Sequence, residues 1–144
     1  MIYLDTSFLV PVFRLELSSA AVIRYMSALP ADGFAISLWT RVEFASMVAR
    51  DVRMGHTDAM SGRQQIDEFG RMQDESLEVW PVAAADLDLA HAFICDFSTK
   101  LRGPDALHLA IAKNRGADYV LTLDEGMLFA AKKLRLKARR GIRR

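Results

Sequence analysis

With 144 residues, 51% hydrophobic and 26% charged, and a formal net charge of +1, the chain fits one globular domain, large enough to bury a core without disulfides or a structural metal. No apolar run approaches bilayer-spanning length, and the opening Met1-Ile2-Tyr3-Leu4-Asp5 lacks the basic region of a secretion signal, which points to the cytoplasm. The single Cys95 excludes an intramolecular disulfide, and its apolar helical surroundings, Ala92 and Phe93, suit a buried small hydrophobe.

Residues 1–4 form a short apolar run ending in Asp5-Thr6-Ser7, the pattern of a buried central strand followed by a turn and a short helix over residues 8–13. A helix is expected over 18–29, a turn at Pro30-Ala31-Asp32-Gly33, and a second strand over 34–38. An amphipathic helix then covers 40–54 and closes at Gly55. Its Phe44, Met47, Val48 and Met54 have the spacing of a core or dimer face. Residues 57–75 are polar and helical in tendency, and 77–82 read as a third strand. Helices follow over 84–99 and 103–115, the second opening at Gly103-Pro104-Asp105 with proline in the first turn. Residues 118–123 are the clearest strand, ending at Asp124; a last helix over 125–134 leads to a weakly marked strand near Leu136. Strands alternating with helices predict a three-layer α/β/α sandwich around a mostly parallel sheet of four to five strands.

The net charge hides an asymmetry. From Lys132 onward there are eight basic residues and no acid, so the tail carries +8 against −7 for residues 1–131. The domain is therefore read as residues 1–134 with a basic C-terminal segment at 135–144. Such a segment either holds a phosphate backbone near an acidic site or is a solvated terminus.

Four carboxylates, Asp5, Glu43, Asp105 and Asp124, stand where strands hand over to helices. In a parallel sheet the strands' carboxyl ends share one edge, so these acids converge in the crevice there. Each has a structural alternative. Asp5, Asp105 and Asp124 favour helix N-termini, and Thr40-Arg41-Val42-Glu43 has the spacing of a capping box. Independent capping does not require all four at one edge. Crowded acids need a cation, and a hard divalent ion held by oxygens implies phosphoryl chemistry.

Across nearly the whole chain these residues resemble the PIN-domain nucleases. Ile2-Tyr3-Leu4-Asp5-Thr6-Ser7 is similar to the first family motif, Thr40-Arg41-Val42-Glu43-Phe44-Ala45 to the second, Leu101 through Ala110 around Asp105 to the third, and Leu121-Thr122-Leu123-Asp124 to the fourth. Order, spacing and length resemble the single-domain toxins of VapBC-type toxin–antitoxin modules. The resemblance implies a Mg²⁺- or Mn²⁺-dependent ribonuclease, a homodimer, silenced by a cognate antitoxin whose segment occupies the active-site groove. Two departures are Pro104, where a small residue is usual, and a basic segment in place of an apolar final strand.

By that reading Asp5, Glu43 and Asp105 hold one ion, and Asp124 completes the site or holds a second. Thr6, Ser7 and Thr122 orient carboxylates or meet phosphate. Arg41, Arg102, Arg139 and Arg140 are candidate RNA contacts. His108, one turn past Asp105, is placed where it could approach substrate, but is read as a packed or surface residue because the chemistry needs no imidazole. Two rivals are a non-catalytic RNA-binding module using the basic tail, and a haloacid-dehalogenase-like phosphatase, whose usual second aspartate is here Ser7.

Overall fold

The structure, a computed structural model, describes residues 1–30 and 33–143; the turn expected at 30–33 lies partly outside them. Five strands form one all-parallel sheet: β1 Ile2–Leu4, β2 Phe34–Ser37, β3 Glu78–Trp80, β4 Tyr119–Leu121 and β5 Ala138–Arg139, in the order β3-β2-β1-β4-β5. The expected sandwich and its strand number are both present.

Alternation along the strands sorts the core into two faces. Ile2, Leu4, Phe34 and Ile36 pack with α1 (Thr6–Phe13), α2 (Ser19–Ser27), α3 (Leu38–Arg53) and α4 (Ala59–Ser76). Phe13, Phe44 and Phe69 meet at ring centroids 4.3–5.5 Å apart and join α1, α3 and α4. Tyr3, Ala35 and Val120 point to the other face, covered by α5 (Ala84–Cys95), α6 (Gly103–Asn114) and α7 (Glu125–Lys133). Residues 106–112 of α6 are all buried, as expected of a helix covered on every side.

The chain runs outward from β1 through β2 to β3, then returns to β4 on the other side of β1. The order reverses between β1 and β4, and a crevice at such a switch point is where open parallel sheets bind ligands. The Asp5 amide donates to the Leu121 carbonyl at 3.0 Å, so the pairing of these strands continues to the lip of that crevice.

Three local expectations differ. Helix α3 starts at Leu38, capped by Ser37, whose Oγ accepts from the Thr40 amide at 3.3 Å while Thr40 Oγ1 accepts from the Ser37 amide at 3.2 Å. The capping box is thus Ser37–Thr40, because the helix begins directly off the strand, and Glu43 is released from capping. The helix expected to reach residue 99 stops at Cys95. Asp96 leaves the helical region and accepts from the Ser98 amide at 3.0 Å, starting a 3₁₀ turn over Phe97–Thr99. Cys95 is consequently exposed rather than buried, since it sits on the outer face of the last turn while Phe93 takes the inner one. In the group with helical spacing, Phe44 and Val48 are core whereas Met54, the C-cap of α3, is 61% exposed.

The basic tail is part of the sheet. Val120 and Thr122 amides donate to the Lys137 and Arg139 carbonyls at 2.9 and 3.1 Å, and Gly141 (φ +75°) turns the chain back onto Leu121, Tyr25 and Phe8. A Cβ there would lie 3.0–3.2 Å from those three side chains, whereas Gly55, also at positive φ (+73°), faces open space. Gly141→Ala is expected to cost about 2–4 kcal/mol, combining left-handed strain with overpacking, and Gly55→Ala about 1 kcal/mol from strain alone. Urea unfolding of the two variants checks the difference; equal losses would mean that the tail does not pack on the core.

Candidate active site

Asp5 leaves β1 in extended backbone as the N-cap of α1, so its side chain turns into the crevice. Its Oδ2 is saturated by donors: Ser7 Oγ at 2.5 Å, Thr122 Oγ1 at 2.7 Å and the Ser7 amide at 3.3 Å. The two hydroxyls are held in turn, Ser7 Oγ accepting from the Leu123 amide at 2.9 Å and Thr122 Oγ1 from the Asp124 amide at 3.0 Å. Asp5 Oδ1 faces the site, 3.4 Å from His108 Nε2. Ser7 and Thr122 therefore orient a carboxylate, one of the two roles expected of them.

Glu43 lies on the second turn of α3. Its Oε2 accepts from Thr6 Oγ1 at 2.6 Å and lies 2.5 Å from His108 Nε2. Burial opposes the Glu43 charge, but the hydrogen bond and charge of His108, and then the Thr6 hydroxyl, outweigh it and hold the carboxyl below its ordinary range. The Trp39 indole, one helical turn earlier, adds a smaller pull.

Asp105 is in the first turn of α6, where Pro104 takes an early position that needs no amide donor; the substitution noted in the sequence leaves the helix start intact. Its carboxyl is pushed from an ordinary 3.8 up to about 6, first by burial, then by the charges of Asp124 and Asp5 and, less, Glu43, with His108 opposing. Asp124 is exposed at the N-cap of α7, accepting from the Met127 amide at 2.7 Å. Capping and convergence are thus compatible: Asp5 and Asp124 cap their helices and still bring charge to Asp105.

His108 is fully buried in the middle of this cluster. Its Nδ1 is 2.7 Å from the Tyr3 hydroxyl, and Tyr3 donates to Ser37 Oγ at 2.8 Å. Burial opposes charge on the ring, yet Tyr3, the Glu43 hydrogen bond and the charges of Asp5 and Glu43 hold its proton well above the ordinary imidazole range. His108 is packed, as expected, but packed against the acids, which sequence reasoning missed. The available signal was its place three residues after Asp105, on the same helix face.

Three of these side chains, Asp5, Glu43 and His108, each offer one ligand atom, all within 4.8 Å of one another. A carboxyl raised toward neutrality by burial and by neighbouring carboxylates, beside such a donor set, fits a divalent cation.

The arginines are placed less decisively. Arg41 and Arg102 are exposed, Arg41 lining a shallow groove of about 880 Å³ between α3 and α4 and Arg102 capping α6. Arg139 lies 4.3 Å over the Tyr119 ring, and Arg140 is paired with Glu125 at the start of α7.

The family profile of the PIN domain matches residues 2–133. The chain belongs to the PIN-domain family. This PIN domain has no sequence match among curated proteins, but it is similar in structure to several solved ones. The Mycobacterium tuberculosis VapC20, described as a sarcin–ricin loop cleaving toxin, is 15% identical, with 90% of this chain and 95% of that one covered and a TM-score of 0.73. FitAcB of Neisseria gonorrhoeae is 18% identical, covering 98% of both chains with a TM-score of 0.71. VapBC2 of Rickettsia felis, bound to a promoter DNA fragment, is 17% identical over 96% and 98%, with a TM-score of 0.66. At these identities the likeness is one of fold.

Between pH 3.8 and about 6 the folded PIN domain binds more protons at Asp105 than the unfolded chain, so this group's contribution to stability falls as pH rises through that window. Asp105→Asn removes the penalty. Because the group is half-exposed, the nominal shift is discounted by screening to a gain of about 1 kcal/mol at pH 7.5, vanishing below pH 4. Urea unfolding at both pH values, in chelator, measures it; a loss at pH 7.5 would show that Asp105 is not crowded by like charge.

Proposed function

We propose that this PIN domain is a Mg²⁺- or Mn²⁺-dependent endoribonuclease and the toxin of a toxin–antitoxin pair. The observation that carries it is the convergence of Asp5, Glu43, Asp105 and Asp124 at the switch point of the sheet, where the charges of Asp124, Asp5 and Glu43 all bear on a partly buried Asp105. Asp5, Glu43 and Asp105 would hold the ion, with Asp124 at the exposed rim completing the site or holding a second. A divalent ion there supplies Lewis-acid stabilisation of phosphate charge and activation of water for hydrolysis.

The chain's own residues supply orientation. Ser7 and Thr122 occupy one oxygen of Asp5 and so aim the other at the site, and Thr6 does the same for Glu43. None of these hydroxyls is needed as a nucleophile. Ser7 Oγ, already engaged by Asp5, Thr122 and the Leu123 amide, is poorly disposed to attack. The exposed rim at Asp124 and Arg102 leaves room for an RNA strand, whose phosphates Arg41, Arg102, Arg139 and Arg140 would meet. Overall, water adds to phosphorus while one P–O ester bond breaks, and the leaving oxygen takes a proton.

The partner reading draws on a structural neighbour described as a toxin–antitoxin complex from Klebsiella pneumoniae and on VapBC2 and VapBC-1. The exposed apolar Leu38 and Val42 flank Glu43 on α3, a surface suited to an antitoxin segment. A homodimer and a cytoplasmic location belong to the same proposal, as does a nuclease unit spanning residues 1–134 with 135–144 as its basic appendage.

Sequencing of RNA ends after incubating the purified chain with total cellular RNA and Mn²⁺ tests the function. Discrete cuts are expected, abolished by chelator and reduced by more than about 100-fold in Asp5→Asn, beyond the cost of losing a mere supporting partner of a metal ligand. Cuts that survive both treatments, or no cuts alongside metal-independent RNA binding lost on deleting residues 135–144, would overturn it. A generic phosphomonoester is expected to stay intact; its hydrolysis would favour the phosphatase.

A further inference from the structure

We propose that His108 is a nitrogen ligand of the divalent ion through Nε2, biasing the site from Mg²⁺ toward first-row transition ions. The inference rests on the metal-dependent reading above and adds a donor that the acidic constellation does not contain.

The hydrogen-bond chain behind the ring carries the argument. Tyr3 spends its proton on Ser37 Oγ at 2.8 Å, so its oxygen presents a lone pair to His108 Nδ1 at 2.7 Å. Nδ1 must then be the N–H side of the ring. Tyr3 is held for this by stacking on Trp80, with ring centroids 5.6 Å apart at 19°, and by complete burial in the central strand. A histidine that ligates metal characteristically donates its other ring N–H to such a fixed partner, which sets tautomer and orientation together.

The opposite nitrogen is aimed at the acids. Nε2 lies 2.5 Å from Glu43 Oε2 and 3.4 Å from Asp5 Oδ1. These separations bracket the roughly 3 Å between adjacent ligands of an octahedral ion with bonds near 2.1 Å. With an ion among these three atoms the ring needs only the proton that Tyr3 accepts. A hydrogen bond to Glu43 alone would explain the 2.5 Å contact, but it does not require Nε2 to face Asp5 Oδ1 as well. Imidazole is a poor choice for Mg²⁺, which favours oxygen donors and retained waters, and a better one for transition ions.

The test uses Mn²⁺ as the probe. Mn²⁺ binding to the full chain is measured by calorimetry, with Mg²⁺ in competition, and its ligands are read by pulsed electron paramagnetic resonance. A directly coordinated ¹⁴N coupling is expected, changing to ¹⁵N when the chain carries ¹⁵N-labelled histidine, which leaves the fold untouched. Asp5→Asn should abolish the bound signal, and His108→Gln, in samples that remain folded, should remove the nitrogen coupling and lower the Mn²⁺-to-Mg²⁺ affinity ratio about tenfold. Mn²⁺ bound in an Asp5-dependent way with no nitrogen coupling would overturn the ligand assignment and leave the nuclease reading standing. No Mn²⁺ bound at all would overturn both.

Discussion

Like-charge crowding at one point of a parallel sheet is the constraint around which this molecule is arranged. Four carboxylates reach the crevice between β1 and β4, and Asp105 shows the cost: burial first, then the charges of Asp124, Asp5 and Glu43, raises its proton affinity. Such a cluster is unfavourable for the protein alone. A cation among them would offset that cost, which is why the cluster fits one.

The surrounding structure keeps that cluster from dispersing. Asp5 cannot rotate away because Ser7, Thr122 and a backbone amide occupy one of its oxygens, and the amides of residues 123 and 124 hold those hydroxyls. Glu43 is tied to Thr6 and His108, and His108 to Tyr3 and Ser37. Every tie therefore runs back to the sheet or to a helix start beside it. Side chains positioned from rigid elements lose little entropy when a ligand arrives, the physical basis of a preorganised site.

Charge elsewhere is distributed to suit the same end. The tail that looks like a free basic terminus adds an edge strand, with Arg140 engaged by Glu125 and Arg139 over Tyr119. Arg140 is thereby brought to the start of α7, whereas Arg139 and Lys137 remain exposed along the edge strand. Gly141 makes the return possible, since neither its positive φ nor the space against Phe8, Tyr25 and Leu121 suits a side chain.

Much of this was legible in the residues themselves. Apolar runs of three or four residues ending in acids marked the central strands, Pro104 marked a helix start, and the alternation of strands and helices gave the layered fold, because period and local cap chemistry act over a few neighbouring residues. Strand ends sharing an edge even made the meeting of Asp5, Glu43, Asp105 and Asp124 predictable. The start of α3 was not, because Ser37 and Thr40 both have cap chemistry, and the choice depends on a helix beginning directly off β2. Cys95 was misread for a related reason: where α5 ends, and which face is then outward, is decided by Asp96 capping a new turn. The least legible residue was His108, whose place near Asp105 was visible but whose packing against the acids was not. Its role depends on Tyr3 from β1, Ser37 from β2 and Glu43 from α3 arriving on two sides of one ring, contacts 65 to 105 residues apart along the chain. Spacing determines which side chains share a helix or strand face; only the packing of separate elements decides what each face meets.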